Sequence, residues 1–238
     1  MHILHLKNFP ILEQLQLEEA LLRLSDENFC LINEGSPPAI VMGISGKPEE
    51  LVHLENLEKE PIPLIKRYSG GGTVVVDEET IFVSFLCQKD LHDFAPYPEP
   101  IMRWSEGIYR EVLIHPEFSL RENDYVFGER KFGGNAQYLR KDRWLHHTTF
   151  LWDYKKERMD LLLHPKKTPN YRSGRSHDEF ITKLNAHFSS KAEFVDRLKE
   201  VLQVRYKAQE IGIENLLPLL NEPHRKSTQI IPVHHPAL

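Results

Sequence analysis

The stretch RYSGGGTVVVDEETIFVSFL, Arg67 to Leu86, limits the fold more than any other part of the chain. Gly70, Gly71 and Gly72 stand in a row directly before a β-branched run, in a chain with only 12 glycines among 238 residues. Glycine loses more backbone freedom on folding than any other residue, so a triplet implies a turn closed to a Cβ or a close backbone approach. A tight turn accounts for one or two of them. Lys66, Arg67 and Ser69 beside the triplet point to a loop that cradles an anion, since successive backbone N–H groups can form a concavity for negative charge. Arg67 would add a charge able to fork onto a phosphate. The spacing is neither Walker A nor GxGxxG, and a strand follows rather than a helix. The competing interpretation is a glycine-rich connection with no ligand.

Around this loop the periodicities alternate. Pro10 opens a helix with Ile11, Leu15 and Leu22 on one face. Strands are expected at Phe29–Ile32, Ala39–Met42 and Pro63–Arg67, with a helix over Lys47–Lys59. Thr73–Val76 and Thr80–Cys87, separated by Asp77–Glu79, are expected to pair as a hairpin. A loop over 88–100 leads to a helix at Ile101–Leu113, then strands near Asp124–Phe127, Phe132–Tyr138 and Trp144–Trp152. Ser176 with Glu179, and Ser190 with Glu193, are capping-box patterns; the first predicts a helix to about His187. From Ile211 the chain is proline-punctuated and is expected to fray. This order implies an α+β fold, a mixed or antiparallel sheet flanked by helices on one face. Its domains would be 1–205, the catalytic unit, and 206–238, a short extension or tail.

Composition removes several classes. A net charge of −5 argues against general nucleic-acid binding, which usually goes with a basic face and a high pI. No run is long and apolar enough to span a bilayer, and the start lacks the pattern of a secretory signal. Cys30 and Cys87 both lie in apolar runs, which suggests buried thiols in a reducing compartment and a cytoplasmic protein. Neither has a histidine at a recognisable spacing, so nothing marks a nucleophile.

The second informative stretch is NDYVFGERKFGGNAQYLRKDRWLHHTTFLWDY, Asn123 to Tyr154. Lys131 starts a strand that holds two adjacent glycines, Gly133 and Gly134, which weaken a strand unless another group lies close. A lone hairpin lysine is ordinarily a solvated one; its place between Asn123-Asp124 and Gly134-Asn135 makes it a candidate catalytic cation. His146 and His147 are adjacent on a strand, so they face opposite ways and cannot share one metal. The basic connector HPKKTPNYRSGRSH, His164 to His177, is expected to be a solvated loop or a contact for an acidic partner.

Taken together, the two stretches resemble lipoate–protein ligases of the biotin/lipoate ligase superfamily, in a short form without the C-terminal accessory domain. The likeness covers roughly residues 10 to 185. The family's R-R-x-S-G-G-G-[AT]-V-x-x-D loop falls on Lys66, Arg67, Ser69, Gly70, Gly71, Gly72, Thr73, Val74 and Asp77. Its N-D…[RK]-K-x-x-G-x-[AS] strand falls on Asn123, Asp124, Arg130, Lys131, Gly134, Asn135 and Ala136, followed by the pair His146 and His147. The resemblance implies the class II synthetase-like catalytic domain. It also implies ATP-dependent activation of lipoate or octanoate to an acyl-adenylate, with transfer to a lysine of a lipoyl-carrier domain. In that scheme Lys131 is catalytic. Arg67, Ser69, Gly70 to Gly72, Thr73, Asn123, Asp124, Gly134, Asn135, Ala136 and His147 bind lipoate or its adenylate, and Asp124 is the candidate for Mg2+ with ATP. The partners would be carrier domains of 2-oxoacid dehydrogenase complexes or the glycine cleavage H protein, together with a separate accessory subunit, and no nucleic acid or membrane. The chemistry agrees with the residues, because a carboxylate attacking the α-phosphorus brings two anions together and needs fixed cations and N–H donors.

Two positions depart from the family pattern. Gly43-Ile44-Ser45-Gly46-Lys47 replaces Gly-Arg-x-Gln-Asn, and Thr148 stands where glycine is common. The rival functions are an ATP-independent octanoyl or lipoyl transferase, which would need an activated cysteine, and a non-catalytic lipoate-binding homologue.

Overall fold

The structure, a computed structural model, describes residues 1–163 and 168–232. His164–Lys167 of the basic connector and the tail beyond Pro232 lie outside the described residues. The first half comprises β1 (His2–Lys7), α1 (Ile11–Leu24), β2 (Phe29–Glu34), β3 (Ala39–Met42), α2 (Pro48–Leu51), α3 (Leu54–Lys59), β4 (Leu64–Lys66), β5 (Thr73–Val76) and β6 (Thr80–Gln88). There follow α4 (Pro98–Leu113), β7 (Phe118–Arg121), β8 (Asp124–Phe127), β9 (Arg130–Leu139), β10 (Arg143–Leu151), α5 (Lys156–Met159), α6 (His177–Phe180), α7 (Lys191–Tyr206), β11 (Gln209–Ile211) and β12 (Gln229–Ile230).

The strands form two mixed sheets. The larger has eight strands in the order β11-β1-β2-β6-β10-β9-β8-β7; the smaller has four, β12-β4-β3-β5. β6 is buried along nearly its whole length, as its unbroken apolar run requires of a central strand. On one face of the large sheet α4 and α7 pack together through Ile108, Val112, Phe194 and Leu198. α7 starts where expected: the Ser190 hydroxyl accepts the Glu193 N–H at 3.1 Å. On the other face α1 packs Leu17, Leu21 and Leu22 against Leu31 and Leu86 of the large sheet, while Ile11 and Leu15 meet Val41, Ile65 and Val76 of the small one. Among the described residues no helix is long and apolar enough to cross a membrane.

Several expectations are corrected. Both faces of the large sheet are covered, rather than one. β5 and β6 do not form a hairpin, for β5 pairs with β3 and β6 with β2 and β10, so the Asp77–Glu79 turn carries the chain between sheets. The helix expected over 47–59 is broken at Val52, which bridges to Leu162, with the His53 N–H donating to the Leu161 carbonyl. The Ser176–Glu179 capping box forms, yet its helix stops at Phe180, because Ile181 bridges to Lys131 and the Thr182 N–H donates to the Lys131 carbonyl at 2.7 Å. Tertiary pairing overrides helix propensity at both places. Residues 209–232 do not fray: β11 extends the large sheet beside β1, and β12 extends the small one beside β4. β1 and β7 were not anticipated.

Candidate active site

β8 and β9 pair antiparallel with a register shift between Tyr125 and Val126: Tyr125 faces Gly133, but Val126 faces Lys131. Phe132 is the extra residue, and it is fully buried, stacked on Phe127 at 4.2 Å. A bulge of this kind re-aims the neighbouring side chain. Lys131 reaches forward along β9 to meet Asp124, Nζ to Oδ1 at 2.8 Å, above Gly134. Asp124 is nearly buried, and a buried charge must be paired. Its second oxygen accepts a hydrogen bond from the Tyr171 hydroxyl at 2.8 Å. Burial first, then the Asp124 charge and hydrogen bond, push the Tyr171 hydroxyl up in pKa, so it stays a donor. The other glycine has a structural cause: a Cβ on Gly133 would lie 3.0 Å from the Phe150 ring.

The glycine loop lies against the same stretch of β9. Gly71 has φ +105°, and a Cβ there would meet an Arg67 nitrogen at 2.7 Å and the Ala136 methyl at 3.4 Å. Gly70 and Gly72 behave differently, because a Cβ on either would meet nothing within 4 Å. Arg67 staples the loop from within: Nε donates to the Ser69 hydroxyl at 3.1 Å, and Nη2 to the carbonyls of Gly70 and Gly72 at 2.8 and 2.9 Å. These nitrogens are therefore engaged with the loop itself rather than held ready for a phosphate. Burial lowers the Arg67 pKa to about 10, with Glu18 opposing the shift, so the guanidinium stays charged at neutral pH. A Cβ on Gly43 would collide with the Gly71 carbonyl, and the Ile44 N–H donates to the Ser69 carbonyl at 3.0 Å. The departing Ile44 is thus beside the loop, 46% exposed.

The two histidines do face opposite ways. His147, paired with Ala136 in register, has Nδ1 2.8 Å from the Ser84 hydroxyl and 3.3 Å from both oxygens of Glu18. The Ser84 hydroxyl donates to Glu18 Oε1 at 2.6 Å, so His147 Nδ1 must carry a hydrogen toward this pair. Gln14 and Asn33 complete this buried chain. Glu18 was missed in the sequence, though its spacing marked it: it falls on the Ile11, Leu15, Leu22 stripe of α1, where a carboxylate demands partners. On the opposite face His146 contacts Ser105 and Gln137, and burial, with a smaller push from His147, lowers its pKa to about 3. It is a neutral structural group.

Lys131, Asp124, Gly134, Ala136, the glycine loop and His147 therefore share one face of the large sheet. Asn135 does not, for its amide donates to the Asn123 carbonyl at 3.0 Å and its oxygen accepts from Thr148 at 2.7 Å, beneath α4. The Thr148 departure thus lies away from the Lys131 face. Asn123 is exposed, Thr73 half-buried, and Ser69 buried as a partner of Arg67. Among the described residues no three His, Cys, Asp or Glu side chains are grouped to hold a metal ion. Cys30 and Cys87 are fully buried, and burial pushes both thiols up in pKa.

Residues 10–203 match the lipoyl protein ligase A/B catalytic domain. The inactive lipoate–protein ligase 2 of Plasmodium falciparum is 28% identical over 77% of this chain, and the match spans only 63% of that relative's length. The bipartite lipoate–protein ligase of Thermoplasma acidophilum, described with its E2 lipoyl domain, superposes with a TM-score of 0.76 at 21% identity, over 92% of this chain and 89% of its own. A lipoate–protein ligase A bound with ATP gives 0.75 at 20%, over 92% of each chain. The two structures share the fold, and the sequence match places the chain in its family: it belongs to the lipoyl protein ligase A/B catalytic-domain family.

Proposed function

We propose that this chain uses ATP to convert lipoate or octanoate to an acyl-adenylate and passes the acyl group to a lysine of a lipoyl-carrier domain. One observation carries the proposal: Lys131, held by Asp124, shares a sheet face with a glycine loop in which Gly70 and Gly72 border open space. Neither glycine is required by a collision in the free chain, so the room beside them suits a ligand that approaches the backbone closely. The fold relatives described with ATP and with an E2 lipoyl domain support the same substrates here.

In the first step the carboxylate oxygen bonds to the α-phosphorus and pyrophosphate leaves. In the second the carrier lysine amine, losing a proton, attacks the acyl carbonyl and AMP leaves. The Lys131 ammonium, a compact charge, would stabilise negative charge on the phosphate and acyl oxygens in both. Mg2+, when bound with the nucleotide, would be held by Asp124 and the phosphates, as a one-carboxylate site allows, and supplies charge neutralisation.

A lipoate-binding protein without turnover is the second candidate, favoured by exposed Ile44 beside the loop and by the relative named inactive. The buried, high-pKa thiols disfavour a cysteine-dependent transferase. Incubating the chain with lipoate, α-labelled ATP and an apo carrier domain, and in parallel with preformed lipoyl-adenylate, tests the proposal. Carrier mass gain with AMP release is expected, faster from the adenylate. Lipoate binding with no carrier modification from either donor would leave the binder in its place.

A further inference from the structure

Outside the matched residues 10–203, the chain returns across the domain, and residues 229–231 run antiparallel along β4, the strand that leads into the glycine loop. Leu216 is buried against α1, with Leu219 and Leu220 packed nearby. The chain then reaches Glu19, a carboxylate only 1% exposed. Glu19 accepts the N–H groups of Ser227, at 3.0 and 2.9 Å, and Thr228, at 3.0 Å, as well as Arg23 Nη2 at 2.8 Å. One residue later β12 begins. Gln229 pairs with Lys66 and Ile230 with Ile65, and the Ile231 N–H donates to the Leu64 carbonyl at 2.7 Å. β4 is only three residues long, and without β12 it would be an edge strand with open hydrogen-bonding groups. The next residue is Arg67, whose N–H is tied to the Met42 carbonyl at 2.9 Å and whose guanidinium sets the carbonyls of Gly70 and Gly72.

We propose that residues 222–232 are a strap that positions the glycine loop, with Glu19 as the positioning residue that anchors it. A buried carboxylate is costly unless fully hydrogen-bonded, and here its partners are backbone groups of a segment 208 positions away in sequence. Burial pushes the Glu19 carboxyl up, but the Ser227 N–H, Arg23 and the Thr228 N–H outweigh it and hold it below the usual range, so the anchor is charged at neutral pH. Along α1 the adjacent Glu18 holds His147, so consecutive carboxylates fix a site histidine and the strap beside the site loop.

The inference rests on the loop being the substrate cradle, and hydrogen exchange tests the mechanical part without activity. In full-length Glu19→Gln, amides of residues 64–72 should exchange roughly tenfold faster or more, with β6 unchanged, since charge-assisted bonds to the strap are lost. Ile231→Pro removes the N–H to Leu64 together with the Ile231 side chain packed on the Ile40 and Leu64 cluster, both of which hold the strap to β4, and should loosen the same residues; it decides alone if Glu19→Gln does not fold. In carrier lipoylation, the KM for lipoate should rise roughly tenfold while kcat falls less, whereas a purely structural loss would lower the active fraction and leave KM unchanged. Unchanged exchange at 64–72 in Ile231→Pro, or a uniform rise across β6 and the loop in Glu19→Gln, would overturn the strap. Absent lipoylation by the unmodified chain would count against the ligase function and leave the exchange result intact.

Discussion

The Lys131 ammonium folds over Gly134: a Cβ on that glycine would stand 3.2 Å from Nζ and 3.3 Å from Cε. The glycine and the lysine, three residues apart across a bulge, are one device. The bulge turns the lysine along the strand, the missing side chain gives it room, and Asp124 opposite receives it.

Gly134→Ala should therefore separate folding from chemistry. The crowded atoms are the far end of a flexible side chain, so the melting temperature should fall by only a few degrees, about 1 kcal/mol. Displacing the ammonium by a few tenths of an ångström or more should lower carrier lipoylation roughly tenfold or beyond. Thermal denaturation and a lipoylation rate on one preparation check it; an unimpaired rate would show that the lysine need not sit above Gly134.

The buried thiols should be dispensable for chemistry. Cys30→Ala with Cys87→Ala removes two small core groups, each worth about 1 kcal/mol. Most of the lipoylation activity should remain in protein that unfolds cooperatively. Loss of activity in such a protein would bring back the thioester route.

His146 predicts a pH dependence of stability. In the unfolded chain its pKa is near the ordinary 6.5, and in the fold it is about 3. The unfolded state thus binds the extra proton between these values. Stability from this site is full above about pH 6.5 and declines as pH falls toward 3, by about 1.4 kcal/mol per unit for one proton. Urea unfolding from pH 7.5 to 5 should show a shallower decline in His146→Gln, by up to that slope, while the other histidines remain common to both proteins. Parallel declines would mean that His146 is charged in the fold.

How much of this was legible follows from where each signal lies. Lys131, Asp124 and the glycine triplet sit in short contiguous motifs, because each contact joins adjacent strands or one loop, and such motifs carry a family resemblance. Arg67 reads from sequence as an anion fork, and the structure adds the bonds it makes inside the loop, which no sequence spacing shows because a basic residue beside a glycine loop suits either part. β5 and β6 looked like a hairpin from a three-residue gap, but only the two-sheet packing of Val41 and Phe82 decides that they part. Asn135 matched the motif while its side chain faces α4, as strand alternation makes inevitable for alternate residues. β11 and β12 have almost no local signature; their pairing is fixed by β1, β4 and the anchor at Glu19, all far away in sequence.

The most direct measurement is single-turnover formation of lipoyl-adenylate and of lipoylated carrier by Lys131→Met, which keeps the apolar stem and removes the charge. If the ammonium stabilises the developing phosphate charge, the loss should be about 3–4 kcal/mol, roughly a hundredfold to a thousandfold in rate, with the fold intact. Lys131→Arg should also fail substantially, because a planar fork does not replace a compact ammonium held by Asp124. A Lys131→Met protein of normal stability that lipoylates its carrier within about 0.5 kcal/mol of the unmodified rate would contradict the account.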